Sequence, residues 1–320
     1  MKINLDLLKE FENSIDTLHP ENGDVPIKIL GYGEISLVFE IINDPEHLAY
    51  KRLPIFKDEE LARDHEYVFK EYNRILKEEL NINTPPFDVV WFEDEKGKIA
   101  FYSIQQKIIP ESVGNKVIHQ VSDKEVEMLV LLAMREMKKV WSFNKKNENL
   151  DVGLDGQISN FAVANYDPQE PKVDENSKLI YIDTVPPFYR VNGDEAMEIA
   201  LLARSMPWFV RGLLKAIFLQ DIVDGYYDWR TTTIDLIANF YKEQRPELVP
   251  GLVEVINKFF SEEAKEFDIE PITLKEVEKY YKTDKLIWRL YLGMRKFDRF
   301  IKTKIFRRKY PFYLPGKIKR

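Results

Sequence analysis

The 320-residue chain contains no cysteine, which excludes disulfides, thiolate zinc sites and cysteine nucleophiles together. Long apolar runs are missing as well. The longest unbroken one, Met128 to Met134, is far too short to cross a bilayer as a helix. The opening Met1-Lys2-Ile3-Asn4-Leu5-Asp6 has no apolar core of the kind a signal peptide carries, so cytoplasmic residence is the expectation. What is present describes a globular chain: 44% hydrophobic and 32% charged residues, enough for one large domain or two lobes. The formal net charge of −7 hides an asymmetry. Residues 282–320 hold 14 Lys and Arg against 2 acids, whereas residues 1–281 hold 33 against 52. An acidic body of −19 therefore ends in a basic segment of +12.

Along the chain, Leu7, Leu8, Phe11, Ile15 and Leu18 recur at helical spacing, and His19-Pro20-Glu21-Asn22-Gly23 breaks that helix. Ile27 to Ile41 reads as a β-run, a Gly31-Tyr32-Gly33 turn and a second β-run. No helix follows that loop, which disfavours a strand–helix nucleotide fold. Leu48 to Leu53 is a third strand, with Ala49 and Lys51 on one face. A helix over residues 58–80 ends before Pro85-Pro86, and two more strands, Asp88–Phe92 and Ile99–Ile104, flank a Gly97 turn. The expectation is a five-stranded antiparallel sheet with one helix.

Residues 123–141 form a strong amphipathic helix with Val126, Leu129, Leu132, Ala133 and Met137 inward. The stretch that organises the rest follows it: Gly153-Leu154-Asp155-Gly156-Gln157-Ile158-Ser159-Asn160-Phe161-Ala162-Val163. An Asp, an Asn five places on and a short strand-like run have the shape of a kinase catalytic loop, where the Asp orients the attacking hydroxyl and the Asn helps hold magnesium. Residues 166–177 are a polar insertion, and Lys178 to Thr184 is a strand carrying Asp183 at its end. An acid at that place also serves as a plain cap before the Pro186-Pro187 turn.

Gly31-x-Gly33, Ala49-x-Lys51, Glu71, Asp155-x4-Asn160 and Ile182-Asp183 together resemble the protein-kinase-like superfamily, in particular its aminoglycoside phosphotransferase and choline kinase-like branch. Loops of that branch read His-Gly-Asp-x4-Asn and then Ile-Asp. The resemblance implies a two-lobed α+β fold: an ATP-binding lobe of residues 1–104 with the antiparallel sheet and its helix, a hinge near 105–110, and a mostly helical lobe of residues 105–320. It implies that Gly31, Gly33 and Ser36 lie over ATP, that Lys51 contacts its phosphates with Glu71 as the lysine's partner (Glu66 in reserve), and that the hinge around Gln106 meets the adenine edge. Asp155 is then the catalytic carboxylate, and Asn160 with Asp183 holds Mg2+. The departures are Gly153 where the branch has a structural His, Ser36 in place of a glycine, and Thr184-Val185 after the acid. No Ala-Pro-Glu segment follows Asp183, which disfavours a protein acceptor. The implied activity is transfer of a phosphoryl group from ATP to a hydroxyl on a small-molecule or lipid-like acceptor. The alternative is a pseudokinase, a nucleotide-binding or docking module with the basic C-terminus as its partner surface.

The remainder reads as helical: Glu195–Ser205, Phe209–Leu219, Thr233–Glu243, Glu247–Phe267 and Lys285–Phe306. Between them Asp221, Asp224 and Asp228 sit in an acidic, aromatic loop that suits either a cationic substrate or ordinary caps. In the last helix, Leu290, Met294, Phe297, Ile301 and Ile305 form an apolar stripe, expected to pack on the body beneath a solvated basic face. Contact of residues 282–320 with anionic lipid or nucleic acid is the other reading.

Overall fold

The computed structural model describes residues 1–33, 35–207, 209–210 and 218–314. A short helix α1 (Leu5–Ser14), capped by Asn4, leads into a five-stranded sheet: β1 (Ile27–Tyr32), β2 (Leu37–Ile41), β3 (Leu48–Arg52), β4 (Phe87–Glu93) and β5 (Ile99–Gln106). The sheet order is β1-β2-β3-β5-β4 and every neighbouring pair is antiparallel. This is the α+β arrangement expected from the alternating runs. Helix α2 (Glu59–Arg74) is inserted between β3 and β4; Asp58 caps it by accepting the Leu61 amide at 3.1 Å.

Strand parity divides the sheet. On β3, Leu48 and Tyr50 join an outer cluster with α1, Phe39 and Tyr102, while Lys51 points the other way. Arg52, on the outer side, makes a bidentate ion pair with Glu12 of α1 (2.7 and 2.6 Å) and donates to the Pro311 carbonyl at 2.9 Å. Adjacent residues of one strand thus serve opposite faces.

The other face belongs to a larger core that continues without interruption from Leu53 and α2 into the C-terminal part. Its centre is α4 (Asp123–Asn144), preceded by a single turn α3 (Gly114–Val117). Glu125 reaches back to the Ser122 amide at 3.0 Å, and Val126, Leu129, Val130, Ala133, Met134, Met137 and Val140 are fully buried. Short strands follow: β6 (Leu150–Val152), β7 (Phe161–Val163), β8 (Leu179–Tyr181), β9 (Tyr189–Val191) and β10 (Asp194–Glu195). β7 pairs with β8, and β6 and β10 flank β9. Helices α5 (Phe218–Gly225), α6 (Trp229–Lys242), α7 (Val249–Glu262) and α8 (Leu274–Phe300) complete the fold.

Several expectations change. Residues 195–205 give a two-residue strand and a 3₁₀ turn (Ile199–Ser205) rather than an α-helix, and most of the expected helix 209–219 lies outside the described residues. The acidic loop starts as helix α5; Asp228 caps α6, and Asp224 binds Arg190 and Gln220. Helix α8 begins eleven residues earlier than expected, at a Thr273–Glu276 capping box. Much of its apolar stripe stays open: Leu290, Phe297 and Ile305 are 57%, 56% and 62% exposed, Met294 and Ile301 are half-buried, Phe297 meets the Phe209 ring edge-on at 6.1 Å, and the charged Arg295 and Asp298 are buried. No helix among the described residues is long and apolar enough to cross a membrane.

Candidate functional site

The β7–β8 pair sets the geometry. Phe161 faces Tyr181 across it, and the Ile182 amide donates to the Asn160 carbonyl at 2.8 Å, so Asn160 and Asp183 sit side by side at the ends of paired strands. Lys51 comes in from β3. Its Nζ donates to Asp183 Oδ1 at 2.6 Å and to the Val185 carbonyl at 2.9 Å, a contact that joins residues 132 positions apart. Both partners remain partly open to solvent.

Asp155 occupies a half-buried crevice next to them. Its Oδ1 accepts the Gln157 amide at 3.1 Å, and Asn160 Nδ2 donates to its carbonyl at 3.3 Å, which fixes the loop as a compact turn. The loop is also held from α2 and from behind. Tyr72 donates to the Gly153 carbonyl at 2.9 Å, the Asp155 amide donates to the Tyr181 hydroxyl at 3.2 Å, and the amides of Gly153 and Leu154 donate to Phe188 and Tyr226 carbonyls. A Cβ on Gly153 would lie 3.0 Å from Phe188 Cβ and 3.2 Å from the Tyr227 ring. Phe188 and Tyr227 therefore close the space beside Gly153. At Gly114 a Cβ would come within 2.2 Å of the Ile158 carbonyl oxygen, so only glycine lets α3 brace the turn that carries Asn160.

The electrostatics are those of crowded carboxylates. Burial pushes the Asp155 carboxyl well above the ordinary range, and nearby Asp235 and Asp183 add to the rise, against the pull of the Gln157 amide and Lys242. Asp235 on α6 is raised in the same direction, by burial first and by Asp284 as well. Gln157 joins the two regions: its Nε2 donates to Asp235 at 3.1 Å, and its Oε1 accepts from Asn239 at 3.1 Å and Lys242 at 3.0 Å. These neighbours were missed in the sequence. The signal was there, a polar row Asp235, Asn239 and Lys242 at helical spacing in an otherwise buried helix.

The expected site residues divide accordingly. Lys51, Asp155, Asn160 and Asp183 share one neighbourhood. Glu71 does not hold Lys51: its carboxylate takes Arg74 in a bidentate pair at 2.9 and 3.0 Å. Helical phase puts Tyr72, one residue on, toward the loop and turns Glu71 aside. Glu66 is likewise engaged, by Lys70 and Trp91. Gln106 is still within β5, and its backbone amide donates to the Pro86 carbonyl at 2.9 Å, so that amide is not available to an adenine. Lys107 donates to His47, which leaves Ile108 and Ile109 as the first residues past the sheet with unpaired amides among the described residues. In the β1–β2 turn, Gly33 donates to the Ser36 carbonyl at 3.1 Å and Ser36 is buried; nothing would touch a Cβ on Gly31 within 4 Å.

For a magnesium ion, Asp183 supplies a carboxylate and Asn160 an amide oxygen, both hard ligands of the right kind. Among the described residues no three His, Asp or Glu gather into a metal cluster, so phosphate oxygens and water would complete the shell. Cavities of about 350 and 490 Å³ lie elsewhere, one beside Trp141 and Tyr227 and one between Arg52 and Tyr310; neither is lined by Lys51, Asp155, Asn160 or Asp183.

Among known proteins, the model described as "Family of unknown function (DUF6206)" matches residues 10–299. No curated protein matches by sequence. Solved structures that resemble the chain include "WaaP in complex with acyl carrier protein", at 9% identity and a TM-score of 0.33 over 72% of this chain and 89% of that one, and "Structure of the GDP complex of wild-type aminoglycoside 2'-phosphotransferase-IIIa", at 11% and 0.30 over 72% and 91%. Neither likeness is close enough to say what this chain does.

Proposed function

The chain belongs to the DUF6206 family, and from its own site we propose that it is an ATP- and Mg2+-dependent phosphotransferase acting on a hydroxyl of a small-molecule or lipid-like acceptor. Residues 1–104 form its nucleotide lobe and residues 105–320 the lobe that receives the acceptor. The observation that carries the reading is the 2.6 Å contact of Lys51 with Asp183, beside Asp155 and Asn160. A cation on the sheet meets the acid that ends one strand, with the carboxylate of a second loop close to that acid, an arrangement suited to a triphosphate.

In this reading Lys51 leaves Asp183 for the phosphates of ATP, and the backbone of Gly31 and Gly33 lies over them. Adenine pairs with the amides past Gln106, those of Ile108 and Ile109. Asp183 and Asn160 hold the ion, which supplies neutralisation of phosphate charge. Asp155 accepts the proton of the acceptor hydroxyl as the oxygen bonds to the γ-phosphorus and the bond to the β–γ bridging oxygen breaks, releasing ADP. Burial that raises its carboxyl makes it a better base once ionised. Activity therefore rises with pH through a midpoint above the usual carboxylate range, and Asp155→Asn lowers turnover by about 10²–10⁴-fold.

The second reading, a nucleotide-binding module without turnover, is favoured by Glu71: with its carboxylate on Arg74, the lysine lacks the helix partner of an active kinase. Thermal-shift titration with ATP, with and without magnesium, separates the two readings. Magnesium-dependent stabilisation with ADP release that Asp183→Ala abolishes fits the enzyme. Stabilisation without release fits the module. Unchanged turnover in Asp183→Ala removes the metal assignment.

A further inference from the structure

Helix α8 turns its sides around. Arg295 and Asp298 face the body: Arg295 lies over the Tyr291 and Phe312 rings, and Asp298 accepts from Lys302 at 2.8 Å. On the opposite side Leu286, Leu290, Gly293, Phe297 and Phe300 recur every three or four residues. Leu286 is 58% exposed and Phe300 55%, and the row runs about 21 Å along the helix axis. Ile305 and Phe306 prolong it through the last turn, both about three-fifths exposed. So large an apolar surface is unusual on a protein that leaves it in water.

The charge around the row is of one sign. Lys285, Arg289, Lys296 and Arg299 line one flank at helical spacing, and Lys304, Arg307 and Arg308 follow beyond the helix. Among the described residues Arg289, Lys296, Arg299 and Lys304 make no ion pair, although Lys282 and Lys302 of the same segment do.

We propose that this face of α8 is a docking surface for an anionic lipid bilayer, with the helix lying in the interface plane. The apolar row enters the acyl boundary while the basic flank meets lipid phosphates, which satisfies both features at once. A nucleic acid would use the cations and leave Leu286, Leu290, Phe297 and Phe300 in water. A second copy of the chain would cover the apolar row but bring two basic segments of +12 together. The proposal uses none of the residues of the phosphotransfer reading and stands or falls apart from it.

The test is co-sedimentation of the full chain with phosphatidylcholine vesicles, with and without phosphatidylserine, alongside Leu290→Asp/Phe297→Asp and Arg289→Glu/Lys296→Glu. All four positions are exposed, and circular dichroism checks that each variant keeps the native fold. The expected result is binding to the serine-lipid vesicles that weakens by at least about tenfold on neutral vesicles and in each double variant, and that falls with added salt. Equal binding to neutral vesicles, or none to either, overturns the proposal. So does duplex DNA binding that survives Leu290→Asp/Phe297→Asp and exceeds vesicle binding, or a dimer that this variant splits while vesicles are ignored.

Discussion

Helices α4 and α8 are the two longest in the molecule and both carry an apolar stripe, yet they face opposite ways. In α4 the stripe is inward, and Leu129, Ala133 and Met137 are inaccessible to solvent. In α8 the stripe is outward, and the inward side holds Arg295, Asp298 and the Tyr291 ring. A period of 3.6 residues locates a stripe but says nothing of what covers it. Burial is decided by the neighbours: α4 has β6, β8, α6 and α7 around it, whereas beyond its first three turns α8 has one side only against the body.

The contrast breaks most sharply by substituting one leucine in each helix. Leu129→Asp places a carboxylate in a closed apolar core and costs at least about 4 kcal/mol, enough to unfold a domain of ordinary stability in a denaturant titration. Arg295→Ala comes next. Removing a buried guanidinium that fills the space between Tyr291 and Phe312 costs about 3 kcal/mol, although by polarity alone the change looks helpful.

Acid sharpens the comparison from the other side, because the main core has its own polar exception. His65 on α2 packs against the Phe56 and Phe101 rings, and burial lowers it from 6.5 to about 4. The unfolded chain then binds more protons than the folded one between these values, so its contribution to stability is intact at neutral pH and is lost as pH falls. Between pH 7 and pH 5 the loss is about 2 kcal/mol, read from chemical denaturation at each pH, and His65→Leu flattens that part of the profile. A slope unchanged by the substitution refutes the assignment. The smallest effect is expected for Leu290→Asp, within about 0.5 kcal/mol of the parent, since that side chain already meets water.

The five antiparallel strands were legible because β-branched and aromatic runs alternate between clear turns. The turn at 155–160 stood out because Asp155 and Asn160 stand at a fixed short spacing ahead of a strand-like run, and the Asn160 side chain closes it on the Asp155 carbonyl. What escaped was whatever depends on helical phase or distant pairing. Glu71 and Tyr72 are one residue apart, and a rotation of about 100° decides which of them meets the loop. Asp235 and Gln157 are neighbours only through the packing of α6, which no local pattern encodes. Gln106 was misjudged by the length of β5, since strand ends depend on whether a partner carbonyl, here that of Pro86, is within reach.

One further consequence comes from Arg52. Its guanidinium moors both the first helix, through Glu12, and the returning tail, through Pro311, to the strand that bears Lys51. Helix α1 and the segment around Pro311 are therefore fastened to a single bolt. Trimming the chain ahead of Tyr310, a routine step in making shorter versions for crystallisation, would strip cover from that ion pair and slacken α1 at the same moment.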